Sequence, residues 1–235
     1  MNQRTANRKR IYASFFSGFL LVIIALIFTL YMNFTNAPRF EEIIVSNVDL
    51  YAFGINDDML RSFARDTIAF LSDQVEMWSP NLSFMNVSLS QLIPPSFYAH
   101  MQKVKDDIFF FKIVGYTLFV LTLFLLYRAF FSTRNLLFSA RAYYIGTLVV
   151  LLLFVGIGAW AYFDFSSFWS VLHKVFIPDG IFAGAEPIMK FFPITVFQAY
   201  FFSIMNMFLL LAGGILLMPL LLYPLSLLTK SIGKR

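Results

Sequence analysis

The sequence predicts an all-α membrane bundle of four transmembrane helices carrying a small mixed α/β extracellular cap. Three observations lead there. Of 235 residues, 59% are hydrophobic and 13% charged, and the mean hydropathy is +0.74, whereas a soluble domain is about 25% charged. Four nearly uncharged apolar runs are each long enough, at about 1.5 Å per residue, to cross a hydrocarbon core of about 30 Å. Every acidic side chain also falls into just two of the segments that those runs mark off, leaving the others purely basic.

Arg8, Lys9 and Arg10 precede the first run, Ile11 to Met32, so residues 1–33 form the N-terminus and first span. The run exceeds the roughly 7–15 apolar residues of a cleaved leader, and no A-x-A-like site follows it. The second span is 108–131, with Lys112 and Arg128 near its ends, where long stems reach the interface. The third is 142–163, and the fourth 194–228, which Pro219 and Pro224 are expected to kink or end. The N-terminus, the loop 132–141 and the tail 229–235 hold Arg4, Arg8, Lys9, Arg10, Arg134, Arg141, Lys230, Lys234 and Arg235 and no acid, while all 13 acidic residues lie elsewhere. The positive-inside rule therefore expects both termini and this loop in the cytoplasm, with 34–107 and 164–193 outside.

Segment 34–107 is too long for a linker and suits a small cap. Within it Asp57 to Met77 reads as a helix, because Leu60, Phe63, Ala64, Thr67, Ile68, Leu71 and Val75 recur at three-four spacing behind Asn56 or Asp57 as N-cap. Glu41 to Phe53 and Leu82 to Leu92 are rich in Ile, Val, Phe and Ser, and read as short strands with a bulge.

The absence of cysteine excludes disulfides and thiolate chemistry. The two histidines, His100 and His173, both fall outside the spans and near the interface. Histidine moves protons near neutral pH, so two of them facing one pocket suit a base and a proton donor. Two unrelated interfacial histidines are the alternative. No H-x-x-x-H or H-E-x-x-H pair is present, so no metal site is expected, and no cofactor motif stands out. G-x-S-x-G is absent too, which leaves acid/base groups without an evident nucleophile. An enzyme built this way acts on a substrate that brings its own. The segment 164–193 is unusually aromatic for a bridge between spans, with Phe165, Phe168 and Trp169 before His173 and Phe176 after it.

The layout resembles the lipoprotein intramolecular transacylase (Lit) family of bacterial membrane proteins. The motifs are His100-Met101-x-x-Val104-Lys105, then Asp164-Phe165-x-x-Phe168-x-x-x-x-His173-Lys174-x-Phe176-x-Pro178, then Phe191-x-Pro193 before the last span. The resemblance implies an acyltransferase of the bacterial cell membrane. Its substrate would be a diacylated lipoprotein, whose sn-2 acyl chain moves from the glyceryl oxygen to the α-amine of the diacylglyceryl-cysteine, giving the lyso form. It also implies His100 and His173 as the catalytic pair, with Met101, Lys105, Asp164, Phe165, Phe168, Trp169 and Phe176 as candidates for substrate binding. On this reading His100 is the base toward the amine, and His173 stabilises the oxyanion or protonates the leaving oxygen. The partners are then lipoprotein and membrane lipid, with no nucleic acid. A non-catalytic membrane protein whose cap binds a peptide or lipid ligand is the rival reading.

Overall fold

The computed structural model describes residues 3–131, 136–176 and 186–232; Arg134, Pro178, Lys234 and Arg235, used in the reading of charge and motifs, lie outside them. The elements are almost all helical: α1 (Gln3–Phe34), α2 (Ala37–Asn47), a 3-10 turn (Tyr51–Phe53), α3 (Asp57–Leu71), β1 (Ser83–Phe84), β2 (Val87–Ser88), α4 (Leu89–Leu92), α5 (Pro95–Leu126) running into a π-helical turn (Tyr127–Phe131), α6 (Leu136–Phe163), α7 (Phe165–Phe176), a 3-10 turn (Pro187–Lys190) and α8 (Ile194–Ile232). Four of them, α1, α5 with its π-turn, α6 and α8, are long and apolar enough to cross a membrane. α8 continues through Pro219 and Pro224 rather than ending there.

The chain divides into two compact units. The first comprises Met1–Phe28, Lys112–Gly158 and Asn206–Arg235. With no solvent contrast to drive apolar helices together in lipid, association there rests on close packing and polar bonds between helices. Both are present. Gly18 and Gly146 bring α1 and α6 into backbone contact, since a Cβ on Gly18 would lie 2.6 Å from Thr147 Oγ1 and one on Gly146 would lie 2.9 Å from the Phe15 carbonyl carbon. The buried Tyr143 hydroxyl donates to the Ile215 carbonyl at 2.8 Å, tying α6 to α8.

The second unit, Thr29–Phe111 and Ala159–Met205, carries the cap. Its core centres on Phe63, whose ring lies 4.8 Å from Phe191, 5.4 Å from Phe192 and 6.1 Å from Trp78. α3 begins as read, with the Asn56 side chain accepting from the Met59 amide. It ends earlier, at Leu71, because the chain reverses through Asp73 at φ 64°.

The strand assignment of Glu41 to Phe53 is overturned: most of it is α2. Asn36 caps that helix by accepting from the Arg39 amide, Pro38 stands in the first turn, and Phe40, Ile43 and Ile44 are buried at three-four spacing. The β-branched run Ile43-Ile44-Val45 favours strand locally, and packing of the apolar stripe against α3 overrides it. Leu82 to Leu92 is likewise only a two-residue-per-strand hairpin followed by α4, with Ser83 opposite Ser88 and Phe84 opposite Val87. Its turn residues Met85 and Asn86 both have positive φ, 53° and 64°, which is the two-residue turn that matches strand twist. Asn tolerates that backbone and Met does not. Met85→Asn is therefore expected to stabilise the hairpin by about 0.5–1 kcal/mol, read as a raised midpoint of thermal unfolding in detergent.

Candidate active site

α5 enters the second unit as a helix whose first three turns are polar. A helix that began at the apolar run alone would place no titratable group in the cap, whereas this extension carries His100, Lys103, Lys105, Asp106 and Asp107. His100, Val104 and Asp107 recur at three-four spacing and share one face. The opposing wall is α7. Asp164 caps it, its carboxylate accepting from the Ser167 amide at 3.0 Å, and the buried Phe165 and Phe168 fix its inner face. Trp169 and His173 lie one turn apart on that helix, with rings 4.3 Å from centroid to centroid.

The two histidine rings are close to parallel, 20° between planes, with centroids 6.2 Å apart. Both line a cavity of about 610 Å³. Its wall is mainly aromatic and aliphatic, and Asp107 is the one charged side chain among the described residues lining it. Asp107 pairs with Lys103 at 3.4 Å.

His173 Nδ1 lies 3.2 Å from the Trp169 carbonyl oxygen. A carbonyl only accepts, so Nδ1 carries the proton and Nε2 of the neutral ring keeps its lone pair. Burial holds the His173 pKa below its ordinary 6.5, against a smaller opposing pull from the bond to that carbonyl. His100 is half-buried, its ring 5.8 Å from that of Phe97.

The other residues singled out in the sequence divide by position. Met101, Phe168, Trp169 and Phe176 line the cavity. Phe165 stands behind that wall, stacked on Trp169 at 5.9 Å, and Asp164 serves the helix cap. Lys105 is spent on structure: its side chain is 12% exposed, and its ammonium lies 2.7 Å from Asp73, donates to the Val75 carbonyl at 3.1 Å and sits 4.7 Å from the Phe70 ring. Among the described residues no group of acids, histidines or cysteines is placed to hold a metal. Sequence reasoning missed the α8 side of the cavity, Phe197, Tyr200, Phe201 and Ile204. Their three-four spacing was visible, but inside an apolar span it reads as ordinary packing.

A known family matches this sequence: the one described as lipoprotein intramolecular transacylase Lit fits residues 11–197. The chain belongs to that family. Solved structures of the membrane integral lipoprotein intramolecular transacylase Lit from Bacillus cereus share its fold. One matches with a TM-score of 0.56 at 17% identity, covering 97% of both chains. Two variants of the Bacillus cereus protein, with one histidine replaced by arginine or by alanine, each match with a TM-score of 0.51 at 17% identity; they cover 98% and 97% of this chain and 94% and 95% of theirs. No protein of curated function matches. The Lit fold in this chain is thus a multi-pass membrane protein with four long apolar helices.

Proposed function

We propose that the protein transfers the sn-2 acyl chain of a diacylated lipoprotein from the glyceryl oxygen to the α-amine of the N-terminal diacylglyceryl-cysteine. The observation that carries this is the pair of histidine rings, 6.2 Å apart between centroids, on an apolar cavity wall. The substrate's amine attacks the ester carbonyl carbon, forming the C–N bond while the π electrons move onto oxygen. His173 Nε2 takes the amine proton and returns it to the glyceryl oxygen as the C–O bond breaks. The products are an amide and a free glyceryl hydroxyl, and no water is consumed. An N–H of His100 hydrogen-bonds the oxyanion. This reverses the roles expected from the sequence, and the Nδ1 bond at His173 supports the exchange.

Proximity is the larger contribution: near-attack alignment of amine and ester is worth up to about 7–11 kcal/mol. The aromatic wall of Phe168, Trp169 and Phe176 keeps water from the ester. The charge distribution supports cytoplasmic termini, with the histidines on the outer side of the bacterial cell membrane.

The test is mass spectrometry of a diacylated lipopeptide incubated with the reconstituted protein. A fragment pattern with one acyl chain moved from oxygen to nitrogen is expected, and an unchanged lipid pattern overturns the reading. The pH profile is a second check. With His173 held below 6.5, the neutral base is already dominant at pH 7, so the histidine limb of kcat/KM falls off only on the acid side of 6.5. Above pH 7 the rate should still climb as the substrate's α-ammonium, of pKa about 7.7–8.0, deprotonates. A break at the ordinary histidine value would contradict a buried base.

A further inference from the structure

Asp107 is the single charged side chain among the described residues that line the apolar cavity. Beside apolar surface a carboxylate attracts a cation more strongly than it would in open water. The partner it has is weakly held. Both carboxylate oxygens lie 3.4 Å from Lys103 Nζ, with the Asp107 side chain 34% and the Lys103 side chain 49% exposed. A tight charge-assisted bond runs at roughly 2.7–2.9 Å, an exposed ion pair contributes little, and a carboxylate can accept further donors. The cavity therefore presents a negative charge to any cationic group that enters it.

The position of that charge says which group. Asp107 is seven residues beyond His100 on α5, so it shares the face of that histidine two turns away, about 10.5 Å along the axis. In an extended diacylglyceryl-cysteine, seven bonds separate the α-nitrogen from the sn-2 carbonyl carbon, a reach of about 8 Å. With the ester at the histidine pair, the α-nitrogen of the extended form comes to the level of Asp107.

We infer that the Asp107 carboxylate accepts a hydrogen bond from the α-ammonium of the incoming lipoprotein, and so selects the free-amine substrate and holds it extended with its sn-2 ester at the histidines. This rests on the proposed substrate, and it makes Asp107 a specificity-determining residue. The contact is a docking contact and not the reacting pose. Once the ammonium has given its extra proton to water, the neutral amine leaves Asp107 and folds back onto the ester. The amide product carries no charge at that nitrogen, so it lacks the anchor and yields to fresh substrate.

Two unreactive lipopeptides test it. Both carry an ether at sn-2, which blocks transfer; one keeps the α-amine and the other has hydrogen in its place. At pH 7, where an α-amine is mainly protonated, wild-type protein in nanodiscs should bind the amine probe about tenfold more tightly, the ratio expected of one charge-assisted hydrogen bond. Asp107→Asn should bind both probes alike. Asp106→Asn removes the same charge one residue away, at a carboxylate engaged by Gln102, and should keep the preference. Equal binding of the two probes by wild type overturns the inference whatever the variants do, and so does a preference that survives in Asp107→Asn or is abolished in Asp106→Asn. Because neither probe reacts, binding stands apart from turnover: a protein that shows the preference yet leaves the diester unchanged refutes the transacylase reading and keeps the anchor, whereas one that transfers the chain while binding both probes alike keeps the reaction and loses the anchor.

Discussion

His173→Ala is expected to lower kcat of acyl transfer by 10²–10⁴-fold while leaving the fold intact, and His100→Ala to do nearly as much. General acid–base catalysis is worth about that range, and loss of one preorganised oxyanion donor costs about 10²–10³. His173 is half-buried, and its bond is to the backbone of its own helix, so truncation breaks no hydrogen bond between elements. Its loss should therefore appear in rate and not in thermal midpoint. If the two side chains act on one tetrahedral centre, the double variant should be little worse than the poorer single variant. Additive losses would mean that they serve separate steps. Retention of wild-type turnover by either single variant would remove that histidine from the mechanism.

The second large effect concerns assembly. Gly146→Ala should lower the midpoint of thermal unfolding in detergent sharply, by the 1–3 kcal/mol or more typical of overpacking, and Gly146→Val further. The atoms a Cβ would meet at Gly146 belong to the Phe15 backbone, which has no rotamer to change, so the two helices must part. The partner position behaves alike: Gly18→Ala meets Tyr143 backbone and Thr147. Gly156 on the same helix has nothing within 4 Å of an added Cβ. Gly156→Ala should be neutral or slightly stabilising, because alanine favours helix by about 1 kcal/mol over glycine. Similar losses at all three positions would mean that close approach of α1 and α6 does not hold the unit together.

The spans were legible because hydropathy over twenty residues is a sum that no single side chain can overturn. The same arithmetic is weak over ten residues, and there the reading went astray. The Ile43-Ile44-Val45 run favoured strand, although Asn36 and Pro38 together marked a helix start that deserved more weight than β-branching. Strand was read in the right place at Leu82 to Leu92 but overextended, and what read as a bulge is a turn at Met85 and Asn86 with α4 immediately after. At the site, the histidines stood out by rarity and Phe168, Trp169 and Phe176 by density. Lys105 became a candidate only through the family motif, and its ammonium closes the reversal at Asp73. Tyr200 was invisible: a tyrosine inside an apolar span looks like packing until the cavity it lines is seen.

The hydrogen bond from His173 to Trp169 spans four residues of one helix. The carbonyl that receives it is the one that also takes the His173 amide in the ordinary helical ladder. In many sites a separate carboxylate selects the imidazole tautomer, and a single substitution there scrambles it. Here the selector is main chain, present whatever residue occupies position 169. The proton arrangement is accordingly insensitive to side-chain drift around it, and only a change that unwinds α7 itself can erase it.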